Sequence, residues 1–217
     1  MIKFSEDIFS DLELERVDLG IKERMLSICK FINGITDCIA IGIRIQKDGD
    51  YPYYAYEGFP KSFIIKENSL CVLDENGNRI RNGGGRFLLD CMCGAVINGN
   101  IDKKNPLFTH YGSFWTNSTT DILNGNGKID FHTRNHCNLC GYESVALVPI
   151  KYQEGNIGLI QLNDKRRNKF TDDIIIEIEN LSKKIAASIK TSILYDDFKS
   201  YIESLKKINI KMNKILK

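Results

Sequence analysis

The run Ser144-Val145-Ala146-Leu147-Val148-Pro149-Ile150, then Gln153-Glu154-Gly155-Asn156, then Gly158-Leu159-Ile160-Gln161-Leu162-Asn163 decides the fold. The outer segments are short and apolar, and the polar, glycine-containing link between them is a hairpin signal. Phe170-Thr171-Asp172-Asp173 follows. Thr171 is a good helix N-cap, and aspartates in the first turn suit the positive end of a helix. The pattern predicts two antiparallel strands leading into a helix.

Toward the C-terminus, Ile174, Ile178, Leu181 and Ile185 recur at helical spacing and form a core-facing stripe. Leu194, Phe198, Tyr201, Leu205, Ile208, Met212 and Ile215 then step by four and three alternately, which is a heptad seam. No proline or glycine interrupts residues 172–217. A seam that outruns the globular core needs a partner, so a parallel homodimer is expected. Lys199, Lys206, Lys207, Lys211 and Lys214 read as the solvated face rather than a nucleic-acid patch.

Toward the N-terminus, Leu12, Val17, Ile21, Met25, Ile28 and Ile32 mark an amphipathic helix over about 11–31, with Gly34 as its stop. Cys29 reads as a buried small hydrophobe on that helix. Cys38 to Ile45 alternates as a strand, and Asp48-Gly49-Asp50 turns into an aromatic strand, Tyr51 to Phe59. Its tyrosines suit half-buried packing or stacking on a ligand. Phe63 to Leu73 reads as a strand-like run, and Asp74 to Asn78 as a turn. Gly83-Gly84-Gly85 lacks the Lys-Ser/Thr of a phosphate loop and is a flexible turn. The order of helix, strands, insertion, strands and long helix gives an α+β class, with an antiparallel sheet and its helices on one face. Residues 1–190 are assigned to the domain and 191–217 to a coiled-coil signalling helix.

With 217 residues, 42% hydrophobic and 27% charged, the chain suits one well-buried domain with an extension. A net charge of +2 gives no general argument for nucleic acid or an anionic membrane. The N-terminus lacks the apolar core of a signal peptide, and no apolar run reaches the ~18 residues of a membrane span. The expected location is the cytoplasm, where cysteines stay reduced unless something binds or oxidises them.

Cys91-Met92-Cys93-Gly94 through Gly141-Tyr142-Glu143-Ser144 holds four of the seven cysteines and all three histidines. Thiolates are soft ligands for zinc, iron–sulfur clusters or haem. The expected metal set is Cys71, Cys91, Cys93 and Cys137, with Cys140 as a substitute; the cofactor is then a metal ion or Fe–S cluster (iron or zinc), or a haem. Cys91 and Cys93 face the same way if extended, and Cys137-x-x-Cys140 has knuckle spacing. Reduced packing thiols are the plain alternative. A metal-free redox switch is another, if Arg134, His132 or His136 lowers a thiol pKa. Phe114, Trp115, Thr116, Asn117 and Thr119 have the mixed apolar and hydroxyl character of a ligand pocket. Arg134 fits an acidic ligand group or a structural salt bridge, and Trp115 equally fits core packing.

The helix–strand–strand start, Glu143 to Ile150, Ile157 to Asn163 and the exit helix together resemble a GAF domain. Cys91-Met92-Cys93-Gly94, Gly112 to Thr120, Arg134-Asn135-His136-Cys137-Asn138 and Gly141-Tyr142-Glu143-Ser144 resemble a cysteine-containing GAF subfamily of bacterial and archaeal sensor histidine kinases. Cys140 departs from that pattern. The resemblance covers about residues 20–190. It implies a sensory domain with a small-molecule or cofactor pocket, no catalysis of its own, and a downstream histidine kinase or regulator as partner. A Cys/His enzyme is the competing class, but the chain carries neither a nucleophile elbow nor HExxH. A third possibility is an adaptor whose zinc only holds the insertion together.

Overall fold

The computed structural model describes residues 21–102, 104–126, 132–153 and 155–215. The part of the first predicted helix before residue 21 lies outside them. Helix α1 (Ile21–Thr36) continues past Gly34, where a side chain would meet open space. It ends instead at Asp37, which takes a left-handed φ of 48°. Strands β1 (Ala40–Ile45) and β2 (Tyr53–Glu57) follow. Glycine is required just after β2: a Cβ on Gly58 would lie 1.8 Å from the Ile39 carbonyl oxygen.

The run expected to be extended from Phe63 begins instead as helix α2 (Lys61–Glu67) after Pro60. Its residues Phe63, Ile64 and Glu67 are buried, a helical spacing, so tertiary packing overrides the β-branched preference. The chain then makes a hairpin-like excursion, tied by bridges Cys71 to Leu89, Leu73 to Arg79 and Arg81 to Phe87. Helix α3 (Cys91–Asn98), strand β3 (Phe114–Thr116), the single turn α4 (Thr119–Asp121) with a π-turn to Asn126, and helix α5 (His136–Leu139) complete the insertion. Strands β4 (Ser144–Tyr152) and β5 (Gly155–Asp164) lead into α6 (Asp172–Ile215).

The five strands form one antiparallel sheet in the order β2-β1-β5-β4-β3. Alternation along each strand sends side chains to opposite faces. Ile41, Ile43 and Ile45 of β1, Val148 and Ile150 of β4, and Ile160 and Leu162 of β5 meet α1 and the first part of α6 in one core. The opposite face carries Ala40, Val145, Leu147 and Leu159, covered by α2, α3 and the insertion in a second core. The two long helices share one face, and the cysteine-rich insertion roofs the other.

Helix α6 leaves the domain part-way along. Ile189 is fully buried and Ser192 nearly so, but Leu194, Phe198, Tyr201, Leu205, Ile208 and Met212 are each between 47% and 63% exposed. Among the described residues no helix is long and apolar enough to cross a membrane.

Candidate functional site

On the roofed face, alternation leaves Gly42 and Arg44 of β1 and Gln161 and Asn163 of β5 pointing away from the isoleucine layer. Such polar positions usually face water. Here the insertion buries them: Arg44 and Asn163 are fully buried and Gln161 is 1% exposed. Arg44 donates from Nη1 to the carbonyls of Tyr51 (2.9 Å) and Asn68 (3.2 Å), and from Nη2 to that of Glu67 (2.6 Å). Its guanidinium stacks 3.6 Å from the centre of the Tyr53 ring. The arginine therefore ties β1 to the end of α2.

Tyr53 donates its hydroxyl to Gln161 Oε1 at 2.7 Å, and Gln161 Nε2 donates to Asn163 Oδ1 at 3.0 Å. Burial pushes the Tyr53 phenol upward, so it stays protonated and needs an acceptor. That need fixes the orientation of the Gln161 amide. Its Oε1 lies 3.9 Å from Cys93 Sγ, and its Nε2 lies 3.9 Å from Cys137 Sγ. The two sulfurs thus share one buried amide, with Cys93 on the acceptor side and Cys137 on the donor side.

Above this layer is an apolar cavity of about 80 Å³. A water needs roughly 10–15 Å³ on such a measure, so the space suits a molecule of a few heavy atoms. Cys91 and Cys93 come from α3, Cys137 from α5, Phe114 from β3, and Val145 and Leu147 from β4. Thr119, Asn135, His136 and Asn138 line it as well.

Local structure explains how the cysteines arrive there. Asp90 caps α3 through a 2.7 Å bond from the Cys91 amide, and Cys91 has a left-handed φ of 64°. A Cβ on Gly94 would sit 2.8 Å from the Leu89 carbonyl carbon, so glycine lets the new helix turn back this tightly. Asn135, just before α5, also has a left-handed φ, 56°. Non-glycine residues in this region cost of order 1–3 kcal/mol each and cluster at functional sites. One cavity-cysteine helix begins on such a residue and the other directly follows one.

The five expected metal ligands do not form one site. Cys91, Cys93 and Cys137 line the cavity, whereas the Cys71 sulfur lies beside Ser69, Asp50 and Arg79. Cys140 Sγ sits 3.6 Å from His136 Nε2, and His136 stacks on Phe63 with ring centres 5.3 Å apart. Among the described residues no group of three or more His, Cys, Asp or Glu is placed to hold a metal ion. As placed, the expected cysteines are therefore not gathered into a closed zinc or cluster site. The spacing argument failed because Cys91 opens a helix, so Cys91 and Cys93 do not present an extended pair.

Of the expected ligand-binding residues, Phe114 and Thr119 line the cavity. Trp115, next along β3, packs instead into the helix-side core. Thr116 donates its hydroxyl to the Ser118 carbonyl at 3.2 Å. Asn117 is a bracket: its Nδ2 donates to the Phe170 carbonyl (2.8 Å), and its Oδ1 accepts from the Phe170 amide (2.9 Å) and the Ser144 hydroxyl (3.2 Å). Arg134 is a strut, bonding Asp90 Oδ2 (3.0 Å) and the carbonyls of Ser69 (2.8 Å) and Cys71 (3.3 Å), with Glu67 Oε2 at 3.8 Å. Its salt-bridge reading stands, and its charge is spent on carboxylates.

The thiols move opposite to a low-pKa switch. Burial pushes Cys137 up to about 12 and Cys93 well above its usual value, and it raises Cys91 too. Arg44 opposes burial at Cys93 and Cys137 without reversing it. His132 does not reach the cavity sulfurs; it bonds Asp90 Oδ1 at 2.8 Å and is exposed. Arg44, Gln161 and Asn163 carry no motif of their own, and Tyr53 stands out only as one tyrosine of the aromatic strand. Their signal was the alternation that placed them together on the face the insertion covers.

No protein-family model matches the chain, and no curated protein matches it. Solved structures do resemble it in shape. The GAF domain of a phosphoenolpyruvate-protein phosphotransferase from Coxiella burnetii superposes with a TM-score of 0.57 at 13% identity, over 88% of this chain and 95% of that one. The GAF domain/HD domain protein from Geobacter sulfurreducens gives 0.55 at 14% identity, over 83% and 98%. A type II free methionine-R-sulfoxide reductase from Thermoplasma acidophilum gives 0.52 at 13% identity, over 79% and 92%. The last corrects the expectation that the domain lacks catalysis of its own: an enzyme shares this architecture, so the fold does not separate sensors from catalysts. What the strand order, the roofed face and these superpositions establish together is a GAF-like fold.

Proposed function

We propose that the protein is a GAF-type receptor module, in which the cavity lined by Cys91, Cys93 and Cys137 takes a small apolar or soft ligand and α6 carries the response. The observation that supports this reading most directly is the cavity itself, apolar in its walls yet with two of its thiols against the Arg44–Tyr53–Gln161–Asn163 layer. Two left-handed residues hold its cysteine-bearing helices. Ligand sites combine apolar walls with a few placed polar groups in this way. The output is a homodimer in which the exposed seam of α6 pairs with its copy, and a histidine kinase or related regulator responds to the pairing.

Native mass spectrometry of anaerobically purified protein, beside a Cys93→Phe variant that fills the cavity, tests this reading. A small molecule retained by the wild type and missing from the variant is the expected result. It is overturned if neither carries a ligand and no compound of a metabolite panel raises the melting temperature of the wild type alone. Stoichiometric iron or zinc lost on cysteine substitution overturns it in favour of coordination.

A second reading has its own support: three thiols in one cavity on a fold shared with a free methionine-R-sulfoxide reductase. Two thiols reduce a sulfoxide to a sulfide, giving one disulfide and one water. Consumption of free methionine-R-sulfoxide with dithiothreitol, lost in Cys137→Ser and Cys93→Ser, is the outcome that favours it. The upward-shifted thiols weigh against it, because the thiolate is the nucleophile.

A further inference from the structure

At the hairpin end of the sheet, distinct from the cysteine cavity, an open groove of about 930 Å³ lies between three parts of the chain. Arg81 and Arg86 enter it from the excursion between Cys71 and Leu89, Lys151 from β4 and Lys190 from α6. Asp48 is the only acidic residue among its described lining. Elsewhere the arginines of the connecting segments are matched. Arg134 pairs with Asp90 and Glu67, Arg166 with Asp37 and Asp164, Arg167 with Asp121 and Glu143, and Arg79 with Asp50.

The groove breaks that rule. Arg81 Nη1 donates to the Gly85 carbonyl and its guanidinium stacks 3.8 Å from the Phe87 ring centre, and among the described residues no carboxylate pairs with it. Among the described residues Arg86 and Lys190 have no ion-pair partner either. Like charges converging on one concave surface repel, and an anion between them relieves the repulsion while the walls focus the field. Arg81 and Arg86 stand on one side and Lys190 on another, whereas the Lys151 ammonium is engaged 4.5 Å from the Tyr111 ring centre, so the ligand must carry anionic groups at both ends.

We propose that this groove binds a small polyanion of the oligophosphate or phosphorylated-metabolite class, bridging the excursion to α6. Lys190 follows the fully buried Ile189, close to where the helix leaves the domain. Occupancy therefore fastens the excursion to the root of the output helix. This is an effector site independent of the cysteine cavity.

Isothermal titration of the full chain with inorganic tripolyphosphate, at low and at physiological salt, tests the assignment. Saturable binding is expected, weakened about tenfold or more by Arg86→Glu and again by Lys190→Glu. Cys93→Ser and the outer-surface variant Lys206→Glu are expected to bind as the wild type does. Both reversed positions are at least partly exposed, so loss of binding is separable from loss of folding by melting temperature. Orthophosphate and anionic lipid vesicles form the comparison arms. Equal weakening by Lys206→Glu, tripolyphosphate no tighter than orthophosphate, or tight binding only to vesicles overturns the proposal. Failure here leaves the cavity reading untouched, because the two sites share none of their described lining residues.

Discussion

The two faces of the sheet are built on opposite principles. The face under α1 and α6 is a layer of isoleucines and valines closed by two amphipathic helices, and burial of apolar area holds it. The face under the insertion sets a buried arginine, glutamine and asparagine, with a half-buried tyrosine, against two of the cavity thiols. Apolar packing tolerates exchanges of similar volume. A buried polar layer tolerates little, because each removed partner strands another group. The first face is therefore the more tolerant scaffold, and the second depends on each of its polar partners.

Substitutions that strike only one face sharpen this contrast, and the largest effect is expected at Arg44. Arg44→Leu strands the Tyr51, Asn68 and Glu67 carbonyls. At ~1–3 kcal/mol for the buried Glu67 carbonyl left unsatisfied, less for the part-buried Tyr51 and Asn68 carbonyls, and ~1–2 kcal/mol for the lost stacking on Tyr53, the loss is about 3–5 kcal/mol, measured by urea melts. Ile160→Ala on the scaffold face is expected to cost ~2–5 kcal/mol through cavity creation. The two differ in kind. Ile160→Ala leaves alkylation of Cys93 and Cys137 in the folded state slow, whereas Arg44→Leu opens the insertion and speeds it. Equal thiol protection in both variants breaks the distinction.

Raising the pH probes both faces through their cysteines. Cys29 and Cys38 on the scaffold face and Cys137 on the roofed face are each pushed up to about 12, chiefly by burial. A thiol whose folded pKa exceeds its unfolded one keeps its proton in the native state after the unfolded chain has lost it. Stability from these groups is complete below the ordinary thiol range of about 8.5, and it is lost as the pH rises toward 12. The expected loss is about 1 kcal/mol per thiol for one pH unit above the unfolded value. Melts at neutral and alkaline pH check this, and Cys137→Val is expected to remove its share.

How legible each face was in the sequence follows the same division. Ile41, Ile43 and Ile45, the paired strands and the stripe from Ile174 to Ile185 announced the scaffold, because apolar periodicity is a local signal. The same alternation placed Arg44, Gln161 and Asn163 opposite, but it does not tell whether that face meets water or protein. Only the fold of the insertion decides, and that depends on contacts far apart in the chain. Helix α2 was misread because Phe63-Ile64-Ile65 has strand composition and helical packing. Cys71 and Cys140 were grouped with the other cysteines by residue type, although Cys71 was drawn to Asp50 and Cys140 to His136. Composition marked the region rightly and could not sort its members.

The smallest expected effect is the most discriminating, and it uses the single tryptophan. Phe114 and Trp115 are neighbours on β3, yet alternation sends Phe114 to the cavity and Trp115 to the helix-side core. Filling or alkylating the cavity acts on the far side of the sheet from the indole. Trp115 emission is therefore expected to stay within a few nanometres and about a tenth of its intensity on modification of Cys93 and Cys137, given the low compressibility of a packed sheet. A Phe114→Trp, Trp115→Phe exchange moves the reporter to the cavity wall and is expected to respond strongly to the same reagent. Had the original Trp115 responded as strongly, the two faces would be mechanically coupled through β3, and the division between them would fail.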